Sequence, residues 1–200
     1  MAKLPALMQM LGEQAGQLVN ANASVALGLS IPTVQKYITV LERLFLLQQV
    51  RPWFSNRMSR LIKSPKLHML DSGLLATLRG ATAAKIAEDR THLGPLLESF
   101  VFAEVLKSLT WSDVGAHVSH FGTKDRNKVD LVSENGRGEI LGIKVKSAAT
   151  LRPKDFSGLQ KLKEAAGAKF VQGILLHDHD RVTPYSEKIR AAPVSLLWQM

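Results

Sequence analysis

Two hundred residues suffice for one large domain or two small ones, and a hydrophobic content of 46% is ordinary for a chain with a packed core. No apolar run reaches the roughly 18–20 residues that cross a bilayer, residues 1–12 lack the pattern of a secretory signal, and the absence of cysteine excludes disulfides and thiolate metal sites. A cytoplasmic protein with no membrane partner is the expectation. The formal charge is +9, unevenly spread: residues 1–80 carry nine Lys/Arg against three acids, and residues 81–200 carry seventeen against fourteen. A basic first part points to a polyanion such as nucleic acid, with a basic but unpartnered protein as the plainer alternative.

Residues 4–15 read as a helix, with Leu7, Met8, Leu11 and Ala15 at helical spacing. Asn20 or Asn22 caps a second, short helix to Ala26, and Gly28 breaks it. Ser30 is an N-cap and Pro32 a first-turn residue for a third helix to Phe45. Its buried face is Val34, Ile38, Leu41 and Leu44, and Thr33, Gln35, Lys36, Thr39 and Arg43 face outward. Strands are expected at 46–51 and 66–70, with Trp53 to Pro65 between them. A short helix, a Gly turn, a longer helix and a basic hairpin make a winged helix. On that reading Lys36 and Arg43 face a major groove and Arg57, Arg60 and Lys63 meet phosphates. Winged helices also act as docking modules, and no residue pair here is plainly placed for bidentate base reading.

Asp71 and Ser72 cap a short helix to Leu78. The chain divides into a winged-helix module (1–80), a linker (81–92) with a helical turn near Ala83, and a second domain (93–200). In that domain a long helix over 93–109 is predicted, with Leu96, Leu97, Phe100, Val101, Val105 and Leu106 as its apolar stripe. Strands follow at 116–121, 128–134 and 140–147. Asn135-Gly136 is a hairpin signal between the last two. A helix over 153–166 and a strand over 168–176 come next, and 193–198 reads as a short strand or a docked tail. The fold class is α/β (α+β), a sheet flanked by helices.

This order, with Glu98 on the long helix, Asp130 on the second strand and Val145-Lys146 on the third, resembles the PD-(D/E)xK nuclease fold. The resemblance implies that acids at such positions bind Mg²⁺ and that the lysine activates water; hard oxygen ligands suit that ion. More specifically, Gly94-Pro95-Leu96-Leu97-Glu98-Ser99-Phe100-Val101, Val129-Asp130-Leu131-Val132 and Gly142-Ile143-Lys144-Val145-Lys146-Ser147 are similar to the uncharacterised domain that follows the ATPase module in many prokaryotic AAA+ proteins. So are Thr33-Val34 through Leu41-Glu42, Ser64-Pro65-Lys66 and Leu70-Asp71-Ser72-Gly73-Leu74 in the first part. The resemblance implies an upstream ATPase. This chain has no Gly-x-x-x-x-Gly-Lys-Ser/Thr loop, so it looks like a C-terminal fragment or a shortened product.

The sequence departs from the family's Glu-x-Lys pattern: Lys144 stands at the acid position while Lys146 is kept, and Lys128 stands where relatives often carry an acid. A unit charge 4 Å from a divalent ion at an effective dielectric of 20 costs roughly 8 kcal/mol before relaxation. Asp130 and Glu98 remain as metal ligands, so Mg²⁺ is the expected cofactor only if the site is active, with Glu104 or Glu139 as migrated ligands. Otherwise the catalytic set Glu98, Asp130 and Lys146 is degenerate and no cofactor is expected. Lys128, Lys144 and Lys146 then form either a phosphate-binding floor or an ion network with Asp130 and Glu98. Three functions stay open: a non-catalytic accessory region that binds nucleic acid or a partner protein, a metal-dependent DNA nuclease, and a docking scaffold. His177-Asp178-His179-Asp180 is a poor metal motif because adjacent loop residues rarely converge on one ion. His117 and His120 fall on opposite strand faces. Trp111 and Trp198 read as packing residues, and Ser119 and Ser147 lack the partners of a nucleophile.

Overall fold

The computed structural model of the chain describes residues 3–55, 64–123, 127–148 and 150–198. It is a mixed α+β structure with two compact units. The first comprises Met1–Val50 and Ser64–Ala103, and the second Arg51–Lys63 and Glu104–Met200.

In the first unit, α1 (Lys3–Glu13) buries Leu7 and Leu11. The expected second helix is a 3-10 helix, Ala21–Leu27. In α2 (Ile31–Arg43) the Ser30 hydroxyl accepts the Thr33 amide at 3.4 Å, and a proline sits in the first turn. Val34, Ile38 and Leu41 are buried as expected. Leu44 is not: the helix stops before it, and it is 60% exposed. Phe45 then takes a left-handed φ of 56° and is 79% exposed. Strands β1 (Leu47–Val50) and β2 (Lys66–Met69) pair antiparallel, with Leu47 opposite Met69. The Glu42 carboxylate ties α2 to β1, accepting from the Gln49 amide at 2.7 Å and its side chain at 3.0 Å. On the other side of β2, Gly16 donates to the Leu67 carbonyl and Leu67 to that of Gln17. Asp71 caps α3 (Ser72–Leu78) by accepting the Leu74 amide at 2.8 Å. Thr82 caps α4 (Ala83–Glu88), so the segment read as a linker carries a full short helix. These elements close over Leu7, Leu11, Val34, Ile38, Leu67 and Leu75, all fully buried.

Helix α5 spans Leu93–Thr110, and the division between units falls within it. Its burial is not a single stripe, since Ser99, Phe102 and Ala103 are buried along with Leu96 and Val101. In the second unit, β3 (His117–Gly122), β4 (Lys128–Glu134), β5 (Ile140–Lys146), β6 (Phe170–His177), β7 (Thr183–Ser186) and β8 (Ile189–Pro193) form one sheet in the order β3-β4-β5-β6-β8-β7. The β3–β4, β4–β5 and β7–β8 pairs are antiparallel, and β5–β6 and β6–β8 are parallel. Strands β7 and β8 are additions to the expected count. The segment expected as a short strand or a docked tail is a 3-10 helix, Val194–Trp198. Helix α6 (Ser157–Ala166), entered through a 3-10 turn at Pro153–Phe156, is the crossover that two parallel strands require. It packs so closely that a Cβ on Gly158 would overlap the Lys128 carbonyl, and one on Gly142 would press on Leu162 and Leu159.

The hairpin between β4 and β5 is longer than Asn-Gly alone would make it. Asn135 and Gly136 keep negative φ, and Gly138 takes the left-handed value of 76°. The Asn135 side-chain oxygen accepts the amides of Arg137 and Glu139, both at 3.0 Å. Trp53 contributes to this unit's core: its amide meets the His120 carbonyl, and its ring nitrogen donates to Glu134 at 3.0 Å. Trp111 and Trp198, expected to pack in the core or at an edge, are 79% and 54% exposed, so neither belongs to the core.

Candidate functional site

The strand β4 does not alternate regularly. Phe121 lies opposite Val129 and Ser119 opposite Val132, so two residues of β4, Asp130 and Leu131, face one residue of β3, His120. That is a β-bulge, which re-aims side chains locally. It accounts for the burial of Val129, Asp130, Leu131 and Val132 in succession. The Asp130 carboxylate accepts the Val145 amide at 2.8 Å, so it joins β4 to β5 just beyond the last backbone pairing at Leu131 and Ile143.

Lys144 and Lys146 are half-buried and share one face of β5. Lys144 donates to the Lys128 carbonyl at 3.1 Å. Lys146 pairs at 3.0 Å with Asp155, a residue the sequence reading did not single out. Burial opposes the charge of Asp155, but the Arg152 amide and the Lys146 ammonium outweigh it and hold its carboxyl below the ordinary value. The sequence signal was Arg152-Pro153-x-Asp155 at a helix entry, where an acid in the first turn accepts a backbone amide.

Glu98 lies in the first unit, where it meets Lys66 of β2 at 2.8 Å; the two side chains are 20% and 5% exposed. Of the expected catalytic set, then, Asp130 and Lys146 stand on adjacent strands of one unit, and Glu98 belongs to the other. The two candidate migrated ligands are also engaged: Glu104 holds Lys107 at 2.7 Å, and Glu139 accepts from the Asn135 side chain at 2.6 Å. Among the described residues no group of three or more His, Asp or Glu converges to hold a metal.

Of the expected nucleic-acid contacts, Lys36 and Arg43 are exposed on α2, two turns apart on the stripe that includes Val40. Lys128 is exposed at the start of β4. Arg57, Arg60 and Lys63 lie outside the described residues. Among the cavities lined by described residues of the second unit, two stand out. One, of about 400 Å³, is apolar and lined by Val105, Leu109, Leu141, Ile143, Ile174 and Leu197. The other, of about 370 Å³, lies at the end of β6 and includes Arg152, His177, His179 and Arg181. Among the described residues no helix is long and apolar enough to cross a membrane.

A helical first unit with a two-stranded ribbon, and a second built on a mixed six-stranded sheet, define a two-part α+β protein. The chain belongs to the family defined by the domain of unknown function DUF4143, whose model matches residues 93–197. A second domain of unknown function, DUF8612, matches residues 1–85. The chain is similar to uncharacterized proteins of Mycobacterium bovis (Mb2031c) and Mycobacterium tuberculosis (Rv2008c), each 28% identical over 142 residues, or 70% of this chain. It spans 31% of the length of these relatives. Among solved structures, protein VC1899 from Vibrio cholerae aligns with 100% of this chain and 55% of its own at 13% identity and a TM-score of 0.38.

Proposed function

We propose that this chain is a non-catalytic accessory region of an AAA+ ATPase-related cytoplasmic protein. It holds nucleic acid through a winged helix in the first unit and a nuclease-like PD-(D/E)xK fold, emptied of catalysis, in the second. The observation that carries the reading is the employment of the site residues. Asp130 serves the sheet through the Val145 amide, the acid position is Lys144, and Lys146 is neutralised by Asp155. Such a set leaves Lys128 and Lys144 to meet phosphate and supplies no cluster of carboxylates for Mg²⁺. The exposed Lys36 and Arg43 on a capped, two-turn-accessible helix support the same role for the first unit.

The test is titration of labelled duplex and single-stranded DNA at two salt concentrations, with and without Mg²⁺, read for binding and on a denaturing gel. Salt-sensitive binding with intact strands is the expected result. Metal-dependent cutting abolished by Asp130→Ala supports a nuclease and overturns the reading. A second reading, protein docking, is favoured by one observation: Leu44 and Phe45 stand 60% and 79% exposed at the end of α2. Absence of binding at low salt selects it.

A further inference from the structure

Strands β5, β6 and β8 of the second unit run parallel in a row. Parallel strands joined by crossovers are apolar on both faces and call for cover on both. One face is closed by α6, whose Leu159 and Leu162 press toward Gly142, with Leu159 reaching Gly173 as well. On the other face, by alternation, stand Leu141 and Ile143 of β5 and Ile174 and Leu176 of β6. The end of α5 and the 3-10 helix Val194–Trp198 flank this face without closing it, and the apolar cavity of about 400 Å³ stays open between them. Leu141 and Ile174, on central strands of the sheet, are only half-buried as a result.

The rim of the cavity carries the matching part. Trp111 directly precedes Ser112, which lines the cavity, and is 79% exposed; Trp198 directly follows Leu197, another lining residue, and is 54% exposed. Val114 and Val171, also in the lining, are exposed as well. Contiguous apolar patches mark interaction sites, and tryptophan is among the residues that dominate binding energy in interfaces. At these exposures the two indoles offer on the order of 250 Å² per copy, about a third of the ~800 Å² that a standard interface takes from each partner. The valines and the cavity walls add to that area. Charge favours a like chain rather than a polyanion. The protein carries +9, yet no Lys or Arg lines the cavity, and Glu139, the charged residue in its lining, is held by Asn135 at 2.6 Å. Two basic copies therefore meet there without cations opposed across the apolar contact.

We propose that a second copy of this chain covers this face, related by a two-fold axis, with Trp111 of each copy seated in the cavity of the other. A two-fold interface uses one self-complementary patch on both copies, and this patch sets an exposed aromatic knob beside an apolar hole. Cavities of about 300–1,000 Å³ take whole small molecules, so an indole fits. Exposed Asp113 lies in the turn after Trp111, and exposed Arg137 lies in the hairpin whose Asn135 and Glu139 line the cavity. Seating the turn of one copy on the hairpin of the other sets Asp113 against Arg137 twice, once in each direction. The dimer does not depend on the nucleic-acid role proposed above, since none of these residues serves it.

The experiment is sedimentation velocity of the full chain over a concentration series, after digestion of any nucleic acid. A concentration-dependent equilibrium between monomer and dimer is expected. Trp111→Ser should weaken the dimer by about tenfold or more, the scale of removing an interface anchor. Trp111 is 79% exposed, so the variant should keep the melting temperature of the wild-type monomer, measured where both are dilute. Asp113→Arg and Arg137→Asp should each weaken the dimer, and the two together should restore it, a recovery that direct apposition of the two positions produces. Lys128→Ala/Lys144→Ala should leave dimerisation unchanged, which separates this result from the nucleic-acid reading. A monomer at every concentration overturns the proposal and leaves the face to a different protein or a small apolar molecule. A dimer lost on digestion of nucleic acid, one as tight in Trp111→Ser as in the wild type, or one indifferent to the charge reversals also overturns it.

Discussion

Among the described residues each unit contains a short lysine–carboxylate pair with one partner less than a tenth exposed, and the two pairs are built in opposite senses. In the first unit the lysine is the buried partner: Lys66 is 5% exposed and Glu98 is 20% exposed, with Gly16 close against the carboxylate. In the second the acid is buried and the lysine reaches water: Asp155 is 7% and Lys146 41% exposed. The difference decides what each pair does. A buried ammonium has no way to regain hydration, so Glu98 is needed wherever Lys66 is packed. Lys146 can swing into solvent, and Asp155 keeps a backbone amide when it does. The first pair is therefore structural, while the second leaves its lysine exchangeable between an acid and a ligand.

The sharpest way to break this contrast is Glu98→Ala. It leaves Lys66 charged and enclosed, and breaking a buried pair from one side costs about 3–5 kcal/mol. Denaturant unfolding should show that loss, whereas Lys146→Ala should cost about 1 kcal/mol or less because its lysine is substantially solvated. Equal losses for the two would erase the distinction. Next in size is Gly158→Ala. Its new methyl meets the Lys128 carbonyl, and overpacking of this kind costs about 1–3 kcal/mol. The lost stability should come with displaced amide resonances at the start of β4, where Lys128 and Asp130 stand. Glycine is required there by close approach rather than by a special φ, as the ordinary helical position shows.

Much of the fold was legible because local chemistry and burial agreed. Ser30, a first-turn proline and the Val34–Ile38–Leu41 spacing locate α2, and Asp71 locates α3, each by a bond the structure contains. Strands β4 and β5 were legible to within a residue. The failures have physical causes. Strand β7 contains Pro184 and mostly exposed residues, so it carries no apolar alternation, as an edge strand need not. Strand β8 is short and relies on alanines whose burial comes from neighbours rather than from their own hydrophobicity. The Asp130 bulge is a property of the pairing with β3, invisible in either strand alone. In the site, Lys144, Lys146 and Asp130 could be set on neighbouring strands from spacing, but Asp155 could not. It reaches Lys146 only because the segment entering α6 doubles back. Glu98 was legible as an acid on α5, and its partner Lys66 was not, because the two lie 32 residues apart.

Asp155→Asn sharpens the comparison through pH. The folded carboxyl sits below the ordinary value of 3.8, so Asp155 favours the folded state at every pH above that value. As pH falls through 3.8 toward the folded pKa, the unfolded chain takes up the proton first and that contribution is lost. The wild type should thus lose stability on acidification below about pH 3.8 more steeply than Asp155→Asn. At neutral pH the variant should be less stable by about 1 kcal/mol, the usual scale for weakening a helix-entry cap. Parallel stability–pH curves for the two proteins would place the charge of Asp155 outside the balance of folding and would take away the asymmetry between the pairs.

The smallest effect concerns Phe45, where α2 ends. A bulky side chain at φ 56° is uncommon, and 79% of it faces solvent, so packing within the unit gives little return for the strain. Phe45→Gly removes that strain but enlarges the freedom of the unfolded chain, so the two effects oppose each other. Left-handed strain of about 1–2 kcal/mol exceeds the usual glycine entropy of about 0.5–1 kcal/mol, so the variant should be slightly more stable, by about 0.5 kcal/mol. The measurement is the denaturation midpoint at unchanged slope. A gain would mean that Phe45 is kept for what it meets outside the unit, which favours docking at the end of α2. A clear loss would mean that its ring stabilises the turn into β1 and has no need of a partner.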